Sequence, residues 1–450
     1  MAERVDGVVV GLGVGGEEVA GRLAEAGLSV VGVEDRLVGG ECPYWGCVPS
    51  KMMIRSANLL AEARRVDGMA GHADVLPDWA PVAKRIREEA TDYWDDRVAV
   101  DRFEGKGGRF VRGRARLAGR DRVVVGDLTF DAERAVVLAT GTSATVPPID
   151  GLAGTPYWTN KEAIEAETLP ASLLVLGGGA IGLELAQAYA RFGVAVTVVE
   201  ALDRLLAVEE PESSELAARA LEADGIAVYT GAKATRVAHA GDGFTLTLDS
   251  GAELRAERLL VATGRHANVA DLGLDAVGLD PAARSIGVDD RMRAADKVWA
   301  VGDVTGHGAF THLAMYQAGI AVRDILGEPG PPADYRALPR VTFTDPEIGA
   351  VGLTEAQARA AGRHVRVGLG QTPSSARGWI HKAGNEGFVK LVASDGVLLG
   401  ATSAGPVGGE VLGALAVAVH GEVPVERLRH MIYAYPTFHR AIEDALHNLA

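Results

Sequence analysis

At 450 residues the chain is too long for a single core, and 48% hydrophobic content with both charge signs well represented describes an ordinary folded protein of several domains. A formal charge of −15 argues against nucleic acid or an anionic membrane surface as a partner. No apolar run reaches the length of a membrane span, and the charged opening MAERVDG lacks the basic start and small-residue cleavage site of a signal peptide, so a cytoplasmic location is expected.

The first apolar run, residues 5–10, reads as a strand and leads into Gly11-Leu12-Gly13-Val14-Gly15-Gly16. A helical pattern follows from Glu17 to Glu25, Gly27 closes it, and a second strand-like run, Leu28–Val33, ends at Glu34. Strand, glycine turn, helix and strand with an acid at its tip are the parts of a dinucleotide site. Gly11 permits the tight turn, Gly13 lets backbone approach a pyrophosphate, and Gly16 lets helix and strand pack closely. The helix N-terminus offers N–H groups to phosphate, and Glu34 can accept from an adenosine ribose.

Next comes GGECPYWGCVPSK, residues 39–51, which holds Cys42 and Cys47, the only two cysteines of the chain. They fit a redox pair, two buried small hydrophobes, or half of a metal site. A helix opening near Cys42 would set them about one turn apart and favour a thiolate at its N-terminus. Zinc usually asks for shorter spacing and two further ligands, which are not nearby in sequence. In the cytoplasm a structural disulfide is disfavoured and a catalytic one is the usual exception.

Helical stretches are expected over Met52–Arg65 and Trp79–Val98, then short strands across Arg109–Phe130 and Ala135–Leu138, ending in Ala139-Thr140-Gly141. Pro147-Pro148 and Gly151 mark a linker. The opening pattern then repeats: Leu173–Leu176, Gly177-Gly178-Gly179-Ala180-Ile181-Gly182, a helix to Phe192, and Val194–Val199 ending at Glu200. First glycine and acid are 23 residues apart in both copies, so the chain binds two dinucleotides, or one twice. A carboxylate at Glu200 accepts a free 2′-hydroxyl and repels a 2′-phosphate, which favours NADH over NADPH, while nearby Arg204 works against that choice. A second Ala-Thr-Gly ends at Gly264 before Arg265, the run Val298–Ala300 leads to Val301-Gly302-Asp303, and Gly327–Pro332 forms a second linker. A C-terminal region of mixed strands and helices follows.

In that order, the first glycine turn, GGECPYWGCVPSK, both ATG segments, GGGAIGLELA, AVGDV and FTDPEIGAVGLTE are similar to the FAD-dependent pyridine nucleotide–disulfide oxidoreductases, the group of glutathione reductase, dihydrolipoamide dehydrogenase and mercuric reductase. The resemblance covers nearly the full length. It implies an α/β fold with two dinucleotide-binding (Rossmann-like) domains plus an α+β C-terminal dimerisation domain. The implied boundaries are 1–149 for FAD with the dithiol, 150–270 for NAD, 271–332 returning to FAD, and 333–450 for the interface of a homodimer. It further implies FAD contacts at Gly11, Gly13, Gly16, Glu34, Lys51, Ala115, Thr140, Gly141, Gly302 and Asp303. The nicotinamide dinucleotide would meet Gly177, Gly179, Ile181, Gly182, Glu200 and Gly264. Asp303 has a rationale of its own, since a carboxylate at a strand end can bind ribityl hydroxyls, with a helix cap as the plainer alternative. Lys51 and Glu184 resemble the family's ion pair beside the flavin, though Lys51 also reads as a solvated helix residue. By the same resemblance Cys47 faces the flavin and Cys42 is the interchange thiol that attacks a small-molecule acceptor.

Four departures bear on the acceptor. Family members that act on disulfides carry His-Pro-Thr-x-x-Glu, in which the histidine is the acid–base group. Here Tyr435 stands at the histidine position and Arg440 at the glutamate position, with His439 one helical turn on. Tyrosine, with an ordinary pKa of ~10, is a poor base at neutral pH but a usable acid. Tyr44, Trp45 and Glu41 make the dithiol segment bulkier and more negative, Ala180 suggests an open nicotinamide site, and the ending ALHNLA has no metal-delivering cysteine pair. A disulfide such as lipoamide leads as acceptor. Quinones or soft metal ions, which need no histidine base, are the rival, and a non-catalytic redox sensor or complex subunit is the alternative of another class.

Overall fold

The computed structural model describes residues 2–241 and 243–449, and the chain divides into two compact units. One holds the chain up to Pro49 with Lys84–Thr145 and Arg265–Asp334; the other holds Ser50–Ala83, Val146–Gly264 and the chain from Tyr335 on.

The first unit is built on β1 (Glu3–Val10), α1 (Val14–Glu25), β2 (Val30–Glu34), α2 (Glu41–Tyr44), α3 (Cys47–Arg64, which runs on into the second unit), α4 (Arg97–Gly105), β3 (Arg109–Arg112), β4 (Ala115–Leu117), β5 (Arg122–Val125) and β6 (Leu128–Leu138). Its main sheet runs in the order Arg293–Ala295, Val298–Ala300, β6, β1, β2, β3, and all but the first pairing are parallel. Central parallel strands are covered on both faces, which is why β1 and β6 end in unbroken apolar runs: Val8, Val9, Val136, Val137 and Leu138 are all fully buried. With β1 at the centre, β2 on one side and β6 on the other, the strand order reverses at the C-terminal end of β1, where open α/β sheets leave a ligand crevice. The redox segment and α1 both start there.

The second unit repeats the theme with β7 (Ser172–Leu176), α5 (Ala180–Arg191), β8 (Ala195–Val199) and β9 (Arg258–Val261), in a parallel sheet ordered Ala227–Tyr229, β8, β7, β9. It also holds a five-stranded antiparallel sheet made of β10 (Pro339–Thr342), β11 (Glu347–Gly352), β12 (Arg366–Gln371), β13 (Phe388–Ser394) and β14 (Val397–Gly405), in the order β10-β11-β14-β13-β12. Helices α6 (Gly408–His420) and α7 (Arg440–His447) cover one face, burying Leu412, Leu415, Ile442 and Leu446 against Val389 and Leu391. Helix α7 comes so close to β12 that a Cβ at Gly368 would stand 2.0 Å from the Ala445 carbonyl oxygen.

Two helical expectations are corrected. No single helix carries both cysteines: α2 ends at Tyr44, and α3 opens at Cys47, earlier than the expected Met52. The helix expected over Trp79–Val98 breaks as well. An α-helical turn at Ala80–Arg85 passes into a π-helical turn at Ile86–Ala90, and then Asp92, Tyr93 and Trp94 adopt left-handed backbone angles (φ 45°, 58° and 57°) before α4 starts. Aspartate tolerates that conformation; tyrosine and tryptophan do so at about 1–2 kcal/mol each.

Candidate active site

The two glycine turns have the same construction. Gly11 holds φ +90° and Gly177 φ +114°, and a Cβ on either would stand 2.4 Å from a carbonyl oxygen, of Ala139 or Ala262 respectively. Gly16 and Gly182 sit one helical turn on, where a Cβ would meet the Gly11 oxygen at 1.9 Å and the Gly177 oxygen at 2.4 Å. These four glycines let the turn close. In contrast, a Cβ on Gly179, the N-cap residue just before α5, meets nothing within 4 Å, and neither Gly13 nor Gly179 has a side chain to cap its helix. Each turn therefore presents a helix N-terminus with open N–H groups, the arrangement a pyrophosphate needs.

The acids at the strand tips match as well. Glu34 accepts from the Leu12 N–H at 2.8 Å and the Arg36 N–H at 2.9 Å, and Glu200 accepts from the Gly178 N–H at 2.6 Å and the Leu202 N–H at 2.7 Å. Each carboxylate is thus held by one N–H of its glycine turn and one of its own loop, with lone pairs left for a ribose. Burial pushes the Glu34 carboxyl above its ordinary range despite those two bonds. Arg204, which could have drawn in a 2′-phosphate, gives its guanidinium to the Ser214 hydroxyl and the Ala207 carbonyl, both at 2.7 Å. Ile181 is exposed beside this turn, and Gly264 holds φ +123° at the end of the neighbouring segment, facing open space.

Around the first turn the remaining sequence candidates assemble. The Thr140 hydroxyl donates to the Asn268 carbonyl at 2.8 Å, and the Asn268 amide returns a bond to the Thr140 carbonyl at 2.8 Å. Gly141 follows at φ +67° with no neighbour where a Cβ would stand. Gly302, at φ +81°, is anchored by its N–H on the buried Gln317. Asp303 accepts from the Thr142 hydroxyl at 2.8 Å, and its burial pushes the carboxyl up from the ordinary value. Arg265, which sequence reading passed over, ties this group to the dithiol segment: it donates to the Thr142 hydroxyl at 2.7 Å and pairs with Glu41 at 2.7 Å. Ala115 is buried in β4.

The dithiol segment leans directly on the glycine turn. The Gly39 N–H donates to the Leu12 carbonyl at 2.7 Å, and Gly40, at φ +71°, lies so close that a Cβ would stand 2.8 Å from the Gly13 Cα. Both thiols are unbridged; Cys42 is half-buried, and Cys47 is exposed with its sulfur 3.2 Å from the Thr311 hydroxyl. A hydrogen bond from the Cys42 thiol to the Cys47 sulfur, together with burial, pushes the Cys42 thiol far above its ordinary range. Next to Cys42 is a cavity of about 390 Å³, lined by Val14, Val38, Pro43, Tyr44, Val98 and Ala99 and by the charged Glu17, Asp92, Asp95 and Arg102. The left-handed turn forms part of this wall and is tied to α2 by the Trp94 indole N–H, which donates to the Tyr44 carbonyl at 3.3 Å.

In the second unit Lys51 and Glu184 meet at 2.7 Å, with Glu184 almost fully buried and its other oxygen accepting from the Phe343 N–H at 2.8 Å. The lysine ammonium also stands 4.6 Å from the Phe343 ring centroid. Phe343 opens the FTDPE motif, and the same motif supplies Asp345, which takes Arg65 at 2.7 Å and the buried Arg191 at 2.8 Å. Neither role is legible in the motif until the fold brings α3 and α5 to it. Tyr435 is 71% exposed, with the Arg440 guanidinium 5.7 Å from its ring centroid, and His439, just before α7, is half-buried. Among the described residues, no group of three or more histidine, cysteine or acidic side chains is placed to hold a metal ion, and no helix is long and apolar enough to cross a membrane.

Comparison with known proteins agrees with this layout. Residues 5–318 match the family model described as pyridine nucleotide-disulphide oxidoreductase, and residues 338–446 match that family's dimerisation domain. The chain is 35% identical to dihydrolipoyl dehydrogenase of Chlorobaculum tepidum over 99% of this chain and 97% of the relative. It is 34% identical to mercuric reductase of Shewanella putrefaciens over 95% of this chain and 78% of the relative. Among solved structures, LpdA from Mycobacterium tuberculosis superposes with a TM-score of 0.85 at 28% identity, covering 99% of both chains. The Cu(II) complex of RclA, an HOCl-induced flavoprotein disulfide reductase of Escherichia coli, gives a TM-score of 0.87 at 26% identity, again over 99% of both.

Proposed function

Because the chain belongs to the pyridine nucleotide-disulphide oxidoreductases and carries their dimerisation domain, we propose that it is a homodimeric FAD enzyme that draws electrons from NADH and delivers them through Cys42 and Cys47 to a small disulfide. Bound FAD supplies the two-electron link between nicotinamide and dithiol. The first turn, with Gly11, Gly13, Gly16, Glu34, Thr140, Gly141, Gly302 and Asp303, would hold it, and the open helix N-terminus and buried acids described above fit that group. The second turn, with Gly177, Gly179, Ile181, Gly182, Glu200 and Gly264, would hold NADH. Lys51 would bring positive charge to the site, and Glu184 would keep it in place. The domain limits at 149, 270 and 332 go with this assignment, and so does a cytoplasmic location, where a cycling dithiol is kept supplied with reductant.

The observation that carries the proposal is the seat of the dithiol segment against the first glycine turn, where the Gly39 N–H donates to the Leu12 carbonyl and Gly40 packs on Gly13. By the family resemblance Cys47 faces the flavin, so Cys42 is the thiol that must lose its proton to attack an acceptor, and its hydrogen bond to Cys47 together with burial pushes that thiol up. The C-terminal histidine that usually takes that proton is replaced by Tyr435, which favours a second reading in which quinones or soft metal ions are reduced without such a base. An anaerobic acceptor panel separates the two. Disulfide turnover abolished by Cys42→Ser supports the first reading, whereas quinone or metal turnover undiminished in the same variant supports the second.

A further inference from the structure

The cavity beside Cys42 offers an acceptor three carboxylates, Glu17, Asp92 and Asp95, against one guanidinium, Arg102. Arg102 is already committed to Glu17, donating at 2.8 Å, which leaves the two aspartates to set the sign. Asp95 has Arg97 at 3.7 Å, but Arg97 does not line the cavity. Tyr44 responds to the same field: its phenol is pushed up to about 12, first by burial and then by Asp96, Glu17 and Asp95, with only Arg102 opposing. Most of the remaining lining is apolar, with the Thr91 hydroxyl turned to the Arg87 carbonyl at 3.0 Å, and the volume suits a small molecule.

Resting on the relay proposed above, we infer that this cavity selects its disulfide by charge, accepting small neutral or cationic disulfides and turning away anionic ones. The Cys42 thiolate attacks one sulfur of the bound acceptor, forming a mixed disulfide. The other sulfur leaves as a thiolate and takes the proton that Cys42 gave up. Cys47 then attacks the Cys42 sulfur, releases the second thiol and restores the Cys42–Cys47 disulfide. Over the cycle NADH, one proton and one acceptor disulfide become NAD⁺ and two thiols. Asp92 and Asp95 touch no reacting atom in this scheme; they act on which acceptor reaches Cys42.

The test uses Cys47→Ser holoprotein, in which Cys42 is the sole cysteine, and compares its labelling by a cationic and an anionic methanethiosulfonate followed by mass spectrometry. Any effect of the site on Cys42 ionisation cancels in the ratio. Two carboxylates at roughly 10 Å, one of them with Arg97 beside it, predict a cationic-to-anionic rate ratio up to about tenfold above that of a free thiol at low salt, shrinking as salt is added. Asp92→Asn with Asp95→Asn should bring the ratio near that of a free thiol, and Asp92→Asn alone, on an exposed side chain, covers the case in which the double variant folds poorly. A parent ratio no higher than that of a free thiol, or one unmoved by either variant, overturns the inference. A parallel panel with NADH, using cystamine, 2-hydroxyethyl disulfide and dithiodiglycolate on the wild-type enzyme, should rank them with the dianion last, and a dianion turned over as fast as cystamine also overturns it. If none of the three is reduced while the labelling ratio holds, the relay fails and the charge selection stands.

Discussion

Glu200→Gln is expected to weaken the enzyme's choice between NADH and NADPH, and the size of the change follows from the geometry. Glu200 is pinned by the N–H groups of Gly178 and Leu202, so its charge cannot swing away from an incoming 2′-phosphate. A phosphate dianion about 4 Å from a carboxylate costs about 1 kcal/mol per charge even at the dielectric of water, or about 2 kcal/mol in all. At 1.36 kcal/mol per decade that is about thirtyfold in the ratio of kcat/KM values. Glutamine keeps the shape and removes the charge, although its amide must face one of the two N–H groups, which loosens the turn by about 1–3 kcal/mol. That cost falls on both nucleotides and cancels in the ratio. Initial rates with NADH and NADPH at fixed acceptor give the measurement. A preference that moves by less than about threefold refutes the reasoning and shifts attention to Arg204, now occupied by Ser214 and Ala207.

Three further outcomes are expected. Cys42 should alkylate slowly at neutral pH and faster as pH rises past the ordinary thiol range, because a raised pKa delays its thiolate; Cys47→Ser removes the main cause and should move the profile to lower pH, read by iodoacetamide labelling. Gly16→Ala should destabilise the fold and lose flavin absorbance, since its Cβ meets a carbonyl oxygen at 1.9 Å, whereas Gly179→Val should leave Tm unchanged and raise the KM for NADH, because that Cβ points into open space. Lys390, 4% exposed and bonded to Glu210 at 3.0 Å and Glu212 at 2.8 Å, is held charged to about pH 12 by those carboxylates against burial, so its stabilisation is fully present below the ordinary lysine range and lost as pH rises through that value. Lys390→Met should cost about 3–5 kcal/mol by denaturant melting, because it strands Glu210 in the interior.

Local features of the site were legible in the chain because they depend on short-range backbone demands. Gly11, Gly16, Gly177 and Gly182 stand where no Cβ fits, and a spacing of 23 residues places Glu34 and Glu200 over the turns they serve. What stayed hidden depends on partners distant in sequence. Arg265 reads as one residue after a glycine, and only the fold brings it to Glu41, 224 positions away. Phe343 and Asp345 sit in a recognisable motif, but their attachment to Glu184, Arg65 and Arg191 needs three elements to meet. The break at Asp92–Trp94 also escaped, because helical periodicity continues across Trp79–Val98 while the backbone does not. Aromatic side chains in left-handed conformations carry no sequence signal, since their energy is offset by tertiary contacts such as the bond from Trp94 to the Tyr44 carbonyl.

Counting thiols tests the central claim most directly, because the chain has two cysteines and no others to confuse the count. The oxidised holoenzyme, denatured under alkylating conditions, should take up no label. After anaerobic addition of one equivalent of NADH per flavin and a denaturing quench, the mass should rise by two labels per chain, at Cys42 and Cys47. NADH consumed and flavin bleached with neither cysteine labelled would contradict the relay, because the electrons would then have stopped short of the dithiol.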